Sequence, residues 1–188
     1  MVDMVLRVVV GLFPVSEIAL AIFKRADSRH AQSEDRGSMR LLWLAIAFGV
    51  ACSIASQWIP STGVRLPGGL IRAFALGFLL SGLSIRWISI VTLGHLFTVD
   101  VAIRQDHALV ERGPYRLVRH PSYSGLLLAL LGLSLFFANW LSLVSLMVPV
   151  TFAVMNRIGQ EERALLAALG PSYAAYCART KRLLPWLV

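Results

Sequence analysis

Between Pro121 and Asn156 the chain runs for 36 residues without one charged side chain. Crossing about 30 Å of hydrocarbon takes roughly 20 residues, in a helix that satisfies its own backbone hydrogen bonds. The 36 residues are too many for one crossing and slightly few for two, so the economical fold is a pair of short helices. They are expected at Tyr123–Ala138 and Trp140–Met155, joined by a tight hairpin at Asn139-Trp140. Three further apolar segments pass the same test, Met4–Phe23, Leu41–Ile59 and Leu70–Leu93. Apolar residues make up 57% of the chain and charged ones 15%, against roughly half and a quarter in soluble domains. The sequence therefore predicts an all-α, polytopic transmembrane helical bundle with about five crossings.

The start, Met-Val-Asp-Met, has no basic region, and Pro14 and Glu17 interrupt the apolar run that follows. The first helix thus reads as a retained crossing and not as a cleaved signal. Of 18 Lys and Arg, five lie from Lys24 to Arg40, four from Arg104 to Arg119 and five from Arg157 to Arg182. With five crossings these loops share one side, and the other side has only Arg65 between crossings. The positive-inside rule then puts the amino terminus outside and the carboxyl terminus in the cytoplasm. Topology explains the net charge of +8 better than nucleic acid does, because the basic residues form no stripe interleaved with aromatics. Cys52 and Cys177 read as free thiols, not as part of a disulfide or metal framework. Small residues four apart, Gly49/Ser53, Gly77/Ser81 and Gly125/Ala129, would let helix backbones approach closely. Glu17 is costly in lipid unless paired or near water, and the sequence offers it no partner.

Outer connections are a few residues long, whereas Gly94–Pro121 and Asn156–Val188 are long, polar and rich in His, Tyr, Arg and Glu. Chemistry belongs on that side. The last segment reads as an amphipathic helix, Arg157–Leu169, stopped at Gly170-Pro171, then a short helix, Ser172–Arg179, with Ser172 as N-cap. The densest string is Gly113-Pro114-Tyr115-Arg116-Leu117-Val118-Arg119-His120-Pro121-Ser122-Tyr123-Ser124-Gly125. Pro121 suits the first turn of a helix and pushes His120 out of the helical region. His120 and Tyr123 are then held near a helix start, whose free N–H groups suit an anion such as a carboxylate. A membrane-interface belt of Tyr, His and Arg is the alternative; it accounts for Tyr115 alone better than for the whole string. Arg86 lies about two turns before Gly94, near enough to the surface to snorkel.

Gly113-Pro114-Tyr115, then Arg119-His120-Pro121-x-Tyr123-x-Gly125, then Arg157-Ile158-Gly159-Gln160-Glu161-Glu162 follow in order. After them come Leu169-Gly170-Pro171-Ser172-Tyr173-Ala174-Ala175-Tyr176 and Arg179-Thr180-Lys181-Arg182-Leu183-Leu184-Pro185. The series is similar to the isoprenylcysteine carboxyl methyltransferase family and its bacterial relatives, roughly from Arg86 to Pro185. That family binds S-adenosylmethionine without a Rossmann sheet, and this sequence has no glycine-rich strand-to-helix fingerprint.

The resemblance implies one domain over 1–188, with an amino-terminal helical hairpin at 1–69 and a catalytic core at 70–188. Cytoplasmic carboxyl-terminal helices would form its cofactor pocket, in a bacterial inner membrane. It implies cofactor contacts at Asp100, His107, Ala108, Leu109, Val110 and Tyr115. Further contacts fall on His120, Pro121, Ser122, Tyr123, Glu161 and Glu162. Arg157 matches a substrate-orienting arginine, and Arg86, in an Arg-Trp pair before Thr92-Leu93-Gly94, a second contact beside the substrate. Arg157 and Glu161, one turn apart, share a helix face and are the expected catalytic pair. Arg157 would grip a carboxylate with its planar fork, and Glu161 the cofactor's ammonium or ribose hydroxyls.

The implied activity is methyl transfer from S-adenosylmethionine to a lipophilic acceptor taken from the bilayer, leaving S-adenosylhomocysteine. Carboxyl O-methylation of an isoprenylcysteine-like substrate is the leading form. A carboxylate with a pKa near 4 is already ionised and needs no base. A lipidic phenol, thiol or phospholipid amine is the alternative acceptor, and a phenol or amine would need His120 or a carboxylate as base. The alternative class is a sterol-reductase-like NADPH enzyme of the same architecture, which should bring extra basic contacts and usually more crossings.

Overall fold

Uninterrupted apolar runs, bounded by prolines, glycines and charges, dictate where the helices begin and end. The structure is a computed structural model and describes residues 2–27, 33–35, 37–97, 101–102 and 109–185. The long helices are α1 Val2–Asp27, α2 Gly37–Ala55, α3 Gly68–Leu93, α4 Pro121–Phe136 and α5 Trp140–Leu169, followed by the short α6 Pro171–Arg179. Two short strands, β1 Ser33–Asp35 and β2 Val101–Ala102, pair antiparallel with Ser33 opposite Ala102. This ribbon is an addition to the expected all-α bundle; strands so short leave no alternating pattern to read.

By length and composition, three described helices can cross a membrane: α2 with its 3-10 continuation (Gly37–Trp58), α3 and α5. The 16 residues of α4 reach about 24 Å, the short helix expected, and α1 carries Arg7 and Glu17. Leu44, Phe48, Phe74, Val91, Val148 and Phe152 all point outward, a surface matched to lipid and unsuited to water. The chain is an integral membrane protein.

Two boundaries differ from the sequence reading. The fifth crossing and the amphipathic helix after it are one helix of 30 residues, because nothing at Asn156 breaks a helix; only the environment changes there. The N-cap of α6 is Gly170, at φ 54°, with Pro171 in its first turn and no side-chain cap, so Ser172 lies inside the helix.

Helix α3 lies along α4, and α2 along α5. The α3–α4 seam depends on missing side chains. A Cβ on Gly82 would strike the Ala129 backbone nitrogen, and one on Gly125 would come within 2.6 Å of the Gly82 carbonyl oxygen. Gly49 does the same for α2 on α5, with Leu146 Cα 2.7 Å from the place of its Cβ. Gly125/Ala129 and Gly49/Ser53 are therefore true contact pairs. Gly77/Ser81 is not: a Cβ on Gly77 would meet nothing within 4 Å, and Ser81 donates back to the Gly77 carbonyl at 2.7 Å. Four-residue spacing cannot tell a lipid-facing stripe from a partner-facing one.

The α4–α5 turn falls at Asn139-Trp140 as expected. The Asn139 side chain accepts from the Leu141 N–H at 2.9 Å and donates to the Ser56 carbonyl at 3.0 Å. One apolar core runs from Leu6 and Phe13 through Leu79, Leu130, Leu146 and Val154 to Leu183, so the carboxyl-terminal tail packs with the same core as α1.

Candidate functional site

At the end opposite the Asn139 turn, the tail after α6 returns beside the segment leading into α4. The Arg119 N–H donates to the Lys181 carbonyl at 2.8 Å and the His120 N–H to the Arg182 carbonyl at 3.0 Å. The Ser124 hydroxyl reaches the Leu183 carbonyl at 2.6 Å. Glu162 of α5 fastens this strap, accepting from Arg119 Nε and Arg182 Nε, each at 2.9 Å. That hydrogen bond raises the Arg182 pKa above its ordinary value. Arg119 Nη1 also donates to the Cys177 and Thr180 carbonyls. Pro121 has no N–H, and the Tyr123 and Ser124 N–H groups donate to the His120 carbonyl at 3.0 and 3.1 Å. The helix start expected to bind an anion is thus largely closed by the tail and by its own first turn.

From α6, Tyr176 Oη donates to the Tyr115 carbonyl at 2.6 Å. Burial pushes the Tyr176 hydroxyl up to about 12 and raises Tyr115 and Tyr173 further. All three remain neutral donors at ordinary pH.

Arg119 and His120, which the strap holds, are on the wall of a cavity of about 360 Å³. Its polar end has Tyr115, His120, Tyr123, Glu161 and Tyr173 on the wall, and its apolar end runs to Phe13, Leu42, Trp43, Val50 and Leu133. From His120 to Leu133 along α4 is about 20 Å at 1.5 Å per residue. Arg157 is 2% exposed; its Nε donates to Tyr123 Oη at 2.6 Å and its Nη1 to Ser38 Oγ at 3.1 Å. Tyr123 Oη donates in turn to Glu161 Oε2 at 3.1 Å. His120 stands between the two glutamates, Nδ1 3.9 Å from Glu161 Oε1 and Nε2 3.5 Å from Glu162 Oε1. The Nε2 contact lacks the alignment of a hydrogen bond. On the facing wall Arg86 grips Glu17 of α1 with two bonds, Nε to Oε1 at 2.6 Å and Nη2 to Oε2 at 2.5 Å. Arg86 Nη1 donates to Ser122 Oγ at 3.1 Å.

Most of this polar wall falls within one recognisable stretch of sequence. Residues 75–167 match the profile of the Isoprenylcysteine carboxyl methyltransferase (ICMT) family. Over those residues the chain is similar to that family. Protein-S-isoprenylcysteine O-methyltransferase B of Arabidopsis thaliana is 34% identical over 119 residues, 62% of this chain and 60% of its own. The Cobalt-zinc-cadmium resistance protein CzcN of Cupriavidus metallidurans is 33% identical over 111 residues, 58% of this chain and 50% of its own. The chain thus spans only 50–60% of the length of these relatives. In fold, 99% of the chain aligns with 67% of a solved eukaryotic intramembrane Ras methyltransferase ICMT, at a TM-score of 0.69 and 23% identity. That likeness speaks for the helical membrane architecture.

Of the residues the ICMT resemblance singled out, Arg86, Leu109, Val110, Tyr115, His120, Ser122, Tyr123, Arg157 and Glu161 line the cavity together. Pro121 and Glu162 are not on its wall: Pro121 starts α4, and Glu162 is turned into the strap. Asp100, His107 and Ala108 lie outside the described residues. Three participants escaped the sequence reading. Ser38 holds Arg157 from a serine with no distinguishing neighbours, and Tyr173 lay in the ICMT-like string without a role. Glu17 announced itself only by its cost in lipid, and Arg86 is its partner.

Proposed function

We propose that this ICMT-like protein transfers a methyl group from S-adenosylmethionine to the carboxylate of a lipophilic, isoprenylcysteine-like acceptor drawn from the bilayer. The reaction takes place at the cytoplasmic face of a bacterial inner membrane, with the amino terminus outside and the carboxyl terminus inside. The observation that carries this reading is the two-part cavity, polar beside His120 and Glu161 and apolar between α1, α2 and α4, with Arg86 and Arg157 on its wall.

The polar end suits the nucleoside. Tyr173 Oη is buried without a hydrogen-bond partner among the described residues, and the Glu161 side chain keeps 33% of its surface exposed. A hydroxyl and a carboxylate on one wall fit a ligand with hydroxyls and an ammonium group. Glu161 would hold the ammonium or the ribose hydroxyls, with Leu109, Val110, Tyr115, His120 and Tyr173 around the rest. When bound, S-adenosylmethionine supplies a methyl carbon on a positively charged sulfur.

The chain contributes orientation and dryness. An acceptor carboxylate is ionised near neutral pH, so no side chain has to remove a proton. Tyr123 and Ser38 fix the Arg157 guanidinium before any acceptor arrives, so its planar fork orients a carboxylate at little further entropic cost. His120 and Arg157 are buried on the cavity wall, which limits water around the acceptor carboxylate, and the apolar arm holds the acceptor's tail; orientation and exclusion together contribute several kcal/mol.

Purified protein incubated with labelled S-adenosylmethionine and total membrane extract should yield a base-labile methyl ester by mass spectrometry. An alkali-stable label would sink the carboxylate form and point to an ether, thioether or amine, with His120 as base. Calorimetric titration should detect S-adenosylhomocysteine and not NADPH; the reverse result would favour the reductase class.

A further inference from the structure

The Glu17–Arg86 pair belongs to the cavity wall, and Glu17 has no part in the chemistry described so far. Both side chains are largely buried, 10% and 11% exposed. Glu17 occupies the Nε/Nη2 edge of Arg86, the two-donor edge an arginine offers to any carboxylate. The other side of the guanidinium is taken by Ser122, through its hydroxyl at 3.1 Å and its carbonyl at 3.3 Å. An acceptor carboxylate has two arginines to meet on the cavity wall, Arg157, which orients it, and Arg86, which already holds a carboxylate.

We infer that Glu17 is a resident counter-ion of Arg86, displaced by an anionic acceptor and restored once methylation has removed the acceptor's charge. The inference rests on the carboxylate reading of the acceptor. Exchange keeps Arg86 paired, while the displaced Glu17 carboxylate has to reach water or another donor, a cost that the acceptor's own charge-assisted bonds to Arg86 offset. A methyl ester has no charge with which to keep Glu17 away. The pair therefore favours the reactant over the product and helps the product leave. Pro14, one turn before Glu17 on the cavity side of α1, has no N–H to close its turn, which eases the movement of Glu17.

The neighbouring charges fit this division of labour. From the other walls the cavity presents Tyr115, Arg119, His120, Tyr123, Arg157 and Glu161, while α2 contributes only apolar residues such as Leu42 and Trp43. Arg119 is tied to Glu162, and Arg157 to Tyr123 and Ser38. Among the described residues, Arg86 holds its carboxylate partner, Glu17, with two bonds on the cavity wall itself.

The test uses two ligands of equal tail, a farnesyl thioether ending in a carboxylate and its methyl ester, titrated by calorimetry into the detergent-solubilised full chain. Glu17→Gln should bind the carboxylate about tenfold tighter and the ester within about twofold of wild type. Because that variant leaves Arg86 without its counter-ion and can fold poorly, a second variant, Glu17→Gln with Arg86→Gln, removes both charges together. In it the preference for carboxylate over ester should fall about fivefold below wild type. An unchanged preference in either folded variant, with both ligands bound, overturns this inference alone. Failure of both ligands to bind wild-type protein overturns it together with the carboxylate reading.

Discussion

An arginine buried among apolar helices has to be held by neighbours, and the neighbours of Arg157 decide what it can do. Its planar group bridges Tyr123 on α4 and Ser38 on α2, a span that a lysine's single ammonium cannot copy. Arg157→Lys should therefore lower methyl transfer about 30- to 100-fold, the equivalent of roughly 2–3 kcal/mol. S-adenosylhomocysteine affinity, read by calorimetry, should change little. Tyr176 gives a pH dependence. Its pKa is raised from 10.0 to about 12 by burial, so the folded state holds the phenolic proton more tightly than the unfolded one. The stabilisation is complete below pH 10 and is lost as pH rises through about 12, amounting to about 2 kcal/mol. Thermal unfolding midpoints should fall across that window, and more gently in Tyr176→Phe.

Helix against helix, the contacts that matter are places where a side chain is absent or a tail is tied down. Gly82→Ala would push a methyl group into the Ala129 backbone and should cost about 1–3 kcal/mol of stability. Gly77→Ala, facing open space in the same helix, should be neutral or stabilising by about 0.5–1 kcal/mol. Thermal unfolding of the two variants in one detergent measures the contrast. Glu162→Gln withdraws the carboxylate that holds Arg119 and Arg182. Trypsin should then cut the tail at Arg179–Arg182 about tenfold faster, and S-adenosylhomocysteine should bind about tenfold more weakly, for roughly 1.5–3 kcal/mol of lost charge-assisted hydrogen bonding.

Across the whole molecule the apolar arm should act as a measure of tail length. Leu133 and Val50 line its far part. Leu133→Trp should weaken binding of a geranylgeranyl-tailed ligand about tenfold, roughly 1.4 kcal/mol, and spare a geranyl-tailed one. Equal losses for both tails would mean that the arm does not hold the tail.

Lipid as solvent makes much of this fold a local property of the chain. A backbone that must satisfy its own hydrogen bonds turns every long apolar run into a helix, so all five long helices and the Asn139 turn were legible. The string from Tyr115 to Tyr123 and the Arg157–Glu161 face were legible too, because one loop and one helical turn place them. Periodicity was less informative where it reported surroundings: it read a change of solvent at Asn156 as a helix end, and α5 continues through it. Partner choice was hidden. Glu17 meets Arg86 across 69 residues and Arg157 meets Ser38 across 119, and many sequences of equal hydropathy would pair them otherwise. Which faces of the helices meet, and hence which buried charges neutralise one another, depends on backbone approach at Gly82, Gly125 and Gly49; that packing exists only once the helices are assembled.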